Sequence, residues 1–118
     1  MKRIFIRTKG DQYNGWGNVI RQLTIAQYLK KKKIKIFFFI ETDMNLSNFI
    51  DCTKLKIIKL KKSISIKKEK KVLRNYGMPN ISIIEKLKPS INLQKMYLEI
   101  SSKLIIYDDL LDGKYLSD

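Results

Sequence analysis

The sequence predicts an α/β fold: a Rossmann-like parallel sheet of about five strands with helices on both faces. Short apolar runs alternate with helical segments five times along the chain, at spacings of roughly 20 to 25 residues. The run Ile34–Ile40 is apolar except for Lys35 and does not alternate with polar residues, which is typical of a strand buried on both faces of a parallel sheet. With 118 residues and 44% hydrophobic residues, the chain can build one core and not two. We therefore expect one domain over residues 1–118.

The first half of the chain predicts two strands joined by a helix. Arg3–Thr8 is a short apolar run, and Gly17–Lys33 carries Val19, Leu23, Ala26 and Leu29 at helical spacing. Asn18 is a favourable N-cap residue for that helix, and its lysine-rich end suits the negative pole of the helix dipole. The three phenylalanines in Ile34–Ile40 are expected in the core.

The second half repeats the alternation. Gly77 ends one predicted helix, and the prolines at 79 and 89 interrupt the chain between elements. The predicted elements are a short helix at 45–52, a strand at 55–60, a helix at 65–77, a strand at 80–85, a helix at 91–102, a strand at 103–109 and a final loop at 110–118.

Several polar residues follow the predicted strands directly. In open parallel sheets, ligands bind outside the carboxyl ends of the strands. The residues that this rule places at that edge are Gly15 to Asn18, Glu41, Glu85, Asp108 and Asp109.

The stretch Gly15–Trp16–Gly17 precedes the first helix and predicts an anion site. It fails as a dinucleotide fingerprint, because the third glycine position is Ile20 and the preceding loop is too long. No cofactor is therefore expected. The free N–H groups at the helix start still suit an anion, and Arg21, one turn in, can fork onto a phosphate or carboxylate. Arg7 ends the first strand on the same rim. Trp16 either stacks on a sugar or base, or caps the edge of the core.

The stretch RTKGDQYNGWGNVIRQLTIAQYL resembles the start of the nucleotide-sugar hydrolases of the pseudaminic acid pathway, which belong to the group with the glycosyltransferase-B fold. The family pattern is Arg-Thr/Ser-Asp, a polar loop, Gly-x-Gly-His-x-x-Arg and a helix. Arg7, Thr8, Gly15, Gly17 and Arg21 match it. The pair Asp108 and Asp109 matches the family's Asp-Asp after the fifth strand, and Glu85 stands where its fourth strand ends in Asp-x-Tyr.

The sequence departs from the family pattern at the positions that carry out the family's reaction. Lys9 replaces the Asp after Arg-Thr, Asn18 replaces the catalytic His, and Leu87 replaces the Tyr. An amide has no proton that titrates near neutral pH, so Asn18 can hold a hydroxyl group or cap the helix but cannot act as a base. No catalytic residue is therefore assigned. The resemblance implies a site retained for binding and altered or lost for catalysis.

The resemblance also implies partners. The family has two Rossmann-like domains and binds the nucleotide mainly with the second, so this chain is expected to be an incomplete N-terminal domain that needs a second domain or a partner chain. Its ligand is expected to be a nucleotide sugar or a sugar. The expected substrate-binding residues are Arg7, Gly15, Trp16, Gly17, Asn18, Arg21, Glu85, Asp108 and Asp109.

The amino-acid composition excludes several other classes of function. The chain has no histidine, which excludes Ser-His-Asp and Cys-His catalysis and His-ligated zinc within it, and no metal is expected. Its single cysteine, Cys52, and the lack of a ~20-residue apolar run or a signal peptide predict a cytoplasmic protein without a transmembrane segment.

The net charge of +14 comes almost entirely from lysine, which A/T-rich codons favour together with Ile and Asn. The lysine runs lack the arginines and aromatics of specific nucleic-acid readers, so nucleic acid is not expected as a partner. Two alternatives to the enzyme-like interpretation stay open. One is a non-catalytic interaction or binding module, and the other is a lysine-rich domain that binds polyanions.

Overall fold

The computed structural model describes residues 2–10, 15–47, 54–86 and 88–107. Within them five strands form one sheet in which every neighbouring pair is parallel, in the order β3-β2-β1-β4-β5. The predicted parallel α/β sheet is therefore confirmed, and the strand ends in the described residues agree within one residue. The strands are β1 (Arg3–Lys9), β2 (Lys35–Glu41), β3 (Lys56–Leu60), β4 (Ile81–Glu85) and β5 (Lys103–Tyr107).

Three helices are described: α1 (Gly17–Lys30), α2 (Ile66–Leu73) and α3 (Ile91–Ile100). The hydroxyl oxygens of Ser65 and Ser90 cap α2 and α3 by accepting the backbone N–H groups of the residues three positions on, at 3.2 and 3.1 Å. A 3-10 turn, Arg74–Tyr76, extends α2, and Gly77 ends it with φ +85°. The predicted stop at Gly77 is therefore confirmed.

The start of α1 differs from the prediction. The N-cap residue is Trp16, which makes no side-chain capping bond, and Asn18 is already the second residue of the helix. The prediction of Asn18 as N-cap was wrong because the chain turns into the helix earlier, through Gly15 at φ +79°. The helix also ends at Lys30 rather than Lys33, since Lys33 adopts φ +60°.

The core has two parts, one on each face of the sheet. On the face covered by α1, the strands contribute Ile6, Phe38 and Ile83, and α1 adds Val19 and other residues of its apolar stripe. On the face covered by α2 and α3, the rings of Phe5, Phe37 and Phe39 pack edge to face, with centroids of neighbouring rings 5.1 to 5.8 Å apart. The predicted core role of Phe37, Phe38 and Phe39 is confirmed, since all three are buried. Successive residues of each strand alternate between the two parts.

Two predicted segments fall wholly or mostly outside the described residues: the short helix at 45–52 and the tail at 110–118. No helix in the described ranges is long and apolar enough to span a bilayer.

Candidate functional site

The crevice of interest lies at the carboxyl ends of β1 and β4. The strand order reverses there, because the chain runs outward from β1 to β2 and β3 and then returns to β4 on the other side of β1. The connections that leave β1 and β4 therefore diverge, and ligands of open α/β sheets bind in the gap between them. Thr8 pairs with Glu85 in this register, so both strands end at the same level.

On the α1 side of this edge, four polar side chains form what we call the Glu85 cluster: Asn18, Arg21, Gln22 and Glu85. One carboxylate oxygen of Glu85 accepts hydrogen bonds from Arg21 Nε at 3.0 Å and from Gln22 Nε2 at 2.6 Å. The other oxygen pairs with Arg21 Nη2. The Asn18 amide nitrogen lies 3.5 Å from the backbone carbonyl oxygen of Glu85. The cluster therefore joins the first two turns of α1 to the end of β4.

The Glu85 cluster has a buried base and an exposed rim. The Glu85 side chain is 5% exposed, whereas that of Arg21 is 41% exposed. Gln22 is fully buried, and its Oε1 has no hydrogen-bond donor among the described residues. Arg21 and Asn18 are thus the members of the cluster that reach solvent.

The entrance to α1 is open at its glycines. A Cβ added to Gly15 or Gly17 would meet no atom of the described residues within 4 Å, so neither glycine is needed to avoid a clash with that part of the chain. Gly10 differs, because its Cβ would lie 2.9 Å from both the Trp16 ring and a Val19 methyl group. Trp16 is partly buried against the core on the α1 side. This placement favours the core-edge role for Trp16 over a stacking platform.

Arg7 lies on the other face of the sheet, in what we call the Arg7 network. It donates from Nε and Nη2 to Glu69 of α2 at 3.2 and 2.9 Å, and Nη1 lies 2.7 Å from Glu41 Oε1. Tyr97 of α3 donates its hydroxyl to Glu69 at 2.6 Å. All four side chains are at most 2% exposed. Arg7 is therefore held by the chain itself and points away from Arg21.

The pKa values in the Arg7 network reflect its ion pairs. Burial alone would raise the pKa of Glu41, but the charge of Arg7, the Ser63 N–H and the charge of Lys86 lower it to about 2. Burial would lower the pKa of Arg7, yet its hydrogen bond to Glu69 and the charges of its partners hold that pKa above its usual value. Burial, followed by the Glu69 charge, raises the pKa of Tyr97 well above its ordinary value. At neutral pH the network therefore contains an ionised Glu41 carboxylate and a neutral Tyr97 phenol.

The structure thus separates the predicted site residues. Asn18, Arg21 and Glu85 come together, with Gly15, Trp16 and Gly17 at the entrance to the same helix. Arg7 belongs to the opposite face, and Asp108 and Asp109 lie outside the described residues.

Sequence reasoning missed Gln22 and Glu69. Gln22 lies three residues after Val19, within the apolar stripe of α1, and Glu69 lies four before Leu73 on the inner face of α2. The helical spacing of Gln22 and Glu69 from these apolar residues could have predicted that both side chains are buried. Glu69 stands within the lysine run of α2, and the sequence analysis assigned it no role.

No group of three or more His, Cys, Asp or Glu side chains that could hold a metal ion occurs in residues 2–10, 15–47, 54–86 and 88–107. On the α1 side, the Glu85 cluster offers the side-chain amide of Asn18, the guanidinium of Arg21 and the carboxylate of Glu85, which is bound to that guanidinium. Such groups can orient hydroxyl and anionic groups of a ligand through hydrogen bonds.

Sequence similarity links this chain to part of a longer protein. No protein-family model matches the chain, and no solved structure matches it. The chain is similar to the uncharacterized protein MJ1062 of Methanocaldococcus jannaschii, with 31% identity over 108 residues. These residues are 91% of this chain but 22% of the relative, so the chain spans about a fifth of that protein's length.

Proposed function

We propose that the chain is the first Rossmann-like unit of a nucleotide-sugar hydrolase or glycosyltransferase-like protein in surface glycan biosynthesis, of the nonulosonic (pseudaminic) acid type. In this proposal it binds the sugar portion of the ligand, and its catalysis is altered or lost. The observation that carries the proposal is the convergence of Asn18, Arg21 and Glu85 at the switch point of the sheet.

The Glu85 cluster suits a polyhydroxylated ligand. Sugar hydroxyls need both donors and acceptors, and Asn18 offers one of each while Arg21 offers several donors. The paired Glu85 carboxylate holds the Arg21 guanidinium in place, since Nε and Nη2 both contact it. A ligand therefore meets an arginine that is already oriented, which lowers the entropic cost of binding.

The residue at the position of the family's catalytic histidine cannot transfer a proton at neutral pH. Asn18 stands at that position, and an amide does not titrate there. General acid–base assistance contributes about 10²–10⁴-fold in rate, so its loss reduces hydrolysis by a comparable factor.

The proposal includes a second domain or a partner chain, because the resemblance implies that the nucleotide is held mainly by a second Rossmann-like unit. It includes no cofactor. It places the protein in the cytoplasm, since a single cysteine is typical of a chain from a reducing compartment.

The proposal is tested by titrating the isotopically labelled chain with a UDP-linked amino sugar and by assaying its hydrolysis. We expect weak binding, with a Kd of about 1 mM, seen as shifts of the amide signals of Gly15 to Arg21. We expect no appreciable turnover by the chain or by Asn18→His, because positioning of the nucleotide requires the second unit. Asn75→His, at an exposed site, is the matched control.

Each outcome is informative. Rapid hydrolysis by the unmodified chain contradicts the loss of catalysis. Substantial turnover by Asn18→His but not by Asn75→His contradicts the need for a second unit. The absence of amide shifts at Gly15 to Arg21 contradicts the sugar site itself.

A further inference from the structure

Three charged residues form a row across the carboxyl edge of the sheet. Glu41 ends β2, Lys9 ends β1 directly opposite it, and Lys86 follows Glu85, the last residue of β4. Because Thr8 pairs with Glu85, Lys86 continues the row on the other side of Lys9. Strand alternation directs all three toward the α2 face, away from the Glu85 cluster.

The two lysines contact one carboxylate from solvent-accessible positions. Lys86 Nζ lies 3.1 Å from Glu41 Oε1, and Lys9 Nζ lies 3.9 Å from Glu41 Oε2. Their side chains are 21% and 27% exposed, whereas Glu41 is 2% exposed. The ammonium groups therefore cover the carboxylate and form the outer surface of the row.

Among the described residues of this region, positive charge exceeds negative charge. Glu69 is occupied by Arg7 and Tyr97. Within the same part of the chain, Glu41 is the carboxylate that contacts Lys9, Lys86 and the Nη1 atom of Arg7. Its oxygen Oε2 also accepts the Ser63 N–H at 2.9 Å. Burial, followed by the charge of Arg7, lowers the pKa of Lys86, while the charge of Glu41 acts in the opposite direction.

We propose that Lys9 and Lys86 form a phosphate-binding subsite on the α2 side of the crevice, for the phosphate or diphosphate group of a small ligand. Lysine binds phosphate as a mobile point charge, and two ammonium groups from adjacent strands can close on one anion from two sides. A phosphate there offsets the surplus positive charge. Lys9 also stands where the resembling family has Asp, so the charge at this position is reversed.

This subsite goes beyond the proposed function, which assigns no phosphate contact to this chain, and neither depends on the other. It is tested with inorganic pyrophosphate, which contains no sugar, at constant ionic strength adjusted with potassium chloride. Pyrophosphate is titrated into the labelled chain and into Lys9→Met, Lys86→Met and Lys103→Met. Lys103→Met removes an exposed lysine from the opposite edge of the sheet and is the matched control.

We expect saturable shifts of the amide signals of Lys9, Gly10 and Lys86 in the unmodified chain. Lys9→Met and Lys86→Met should each weaken binding about tenfold, as expected for the loss of one charge-assisted hydrogen bond, while Lys103→Met leaves it unchanged. Shifts spread over the lysine runs, or equal weakening in all three variants, overturn the subsite. Should the two site variants not fold, the location of the shifts in the unmodified chain still decides.

Discussion

The guanidinium of Arg7 lies inside the protein, with carboxylate oxygens of Glu41 and Glu69 2.7 and 2.9 Å from its nitrogens. Removing an ion pair from water costs several kcal/mol per ion, and good geometry is needed to offset that cost. Here the geometry is good, because the two carboxylates engage different nitrogens of the same fork. Removal of one partner leaves the others buried without compensation.

Arg7→Met should therefore destabilise the fold by about 3–5 kcal/mol, because it leaves Glu41 and Glu69 short of positive charge. Urea unfolding followed by circular dichroism measures the loss. Arg74→Met, at an exposed position, should change stability by less than about 0.5 kcal/mol. Equal stability of the two variants would show that the Arg7 ion pairs contribute nothing to folding.

Glu41 predicts a specific loss of stability in acid. Its pKa is about 2 in the folded chain against an ordinary value of 4.5, so its contribution is present above pH 4.5 and is lost as the pH falls toward 2. The shift corresponds to about 3 kcal/mol.

Unfolding free energies measured from about pH 6 down to about pH 3 should show this slope in the unmodified chain and a smaller one in Glu41→Gln. Glu99→Gln, at a side chain 64% exposed, is the control and should keep the full slope. An identical slope in Glu41→Gln would assign the acid sensitivity to other carboxyl groups.

At this scale the sequence predicted residue types better than residue roles. Glu85 was placed correctly at a strand end, next to the helix that follows the glycine turn. For Arg7, the position along the strand was right, but the face was not considered. Arg7 shares a face with Phe5, and strand alternation alone directs it to α2 rather than to α1. Its partner Glu69 is 62 residues away, a separation that no local pattern reports.

Gly15 and Gly17, at the entrance to α1, differ in the backbone conformation that the helix start requires of them. Gly15 has φ +79°, a left-handed conformation that other residues adopt with strain, whereas Gly17 is the first residue of the helix itself. In the described part of the chain, neither has neighbouring atoms that a methyl group would strike. Backbone conformation is therefore the main difference between the two positions.

Gly15→Ala should destabilise the chain by about 1 kcal/mol, because alanine resists positive φ. Gly17→Ala should be neutral or stabilising by up to about 1 kcal/mol, since alanine favours helix and restricts the unfolded chain. Thermal unfolding of the pair measures the contrast. Destabilisation of Gly17→Ala as large as that of Gly15→Ala would mean that the helix entrance needs glycine at both positions.

The periodicity of apolar residues predicted which segments are helices and which are strands. The start of α1, in contrast, depended on contacts with the rest of the fold. The apolar stripe of α1 predicted the helix, but capping preference put Asn18 at its start, and the amide instead lies near the Glu85 carbonyl. The C-terminal boundary was missed for a local reason. Lysine has no strong preference against helix, so the run after Lys30 gave no sign of the turn at Lys33.

At the scale of the whole molecule, charge is the most unusual property. A net charge of +14 on 118 residues makes the folded chain repel itself. The exposed lysines of α2 and of the turn after α1 belong to separate elements, so the repulsion is spread over the surface.

Sodium chloride should therefore stabilise the chain. Raising the salt from about 0.01 M to about 0.15 M shortens the Debye length from about 30 Å to about 8 Å and screens most of this repulsion. Differential scanning calorimetry should show a Tm higher by several degrees at the higher salt. A Tm that falls or stays constant would mean that attractive surface ion pairs balance the repulsion.

The parallel sheet was predictable because continuous apolar runs and intervening helices admit few other arrangements. The strand order agrees with the Rossmann-like topology that right-handed crossovers favour, although no local sequence pattern states that β4 lies beside β1 rather than beside β3. That order brings Glu85 to α1 and Lys86 to Glu41, so the candidate site depends on the topology of the sheet and not on a local pattern.

The alternation of side chains at the ends of β1 and β4 has an evolutionary consequence. Neighbouring residues at the end of one strand, such as Glu85 and Lys86, face opposite sides of the sheet, and among the described residues their side chains have different partners. Substitutions on one side of the edge can therefore accumulate with little epistasis toward the other. A lineage can alter which ligand group it recognises beside α1 while selection keeps the ionic framework beneath α2 intact.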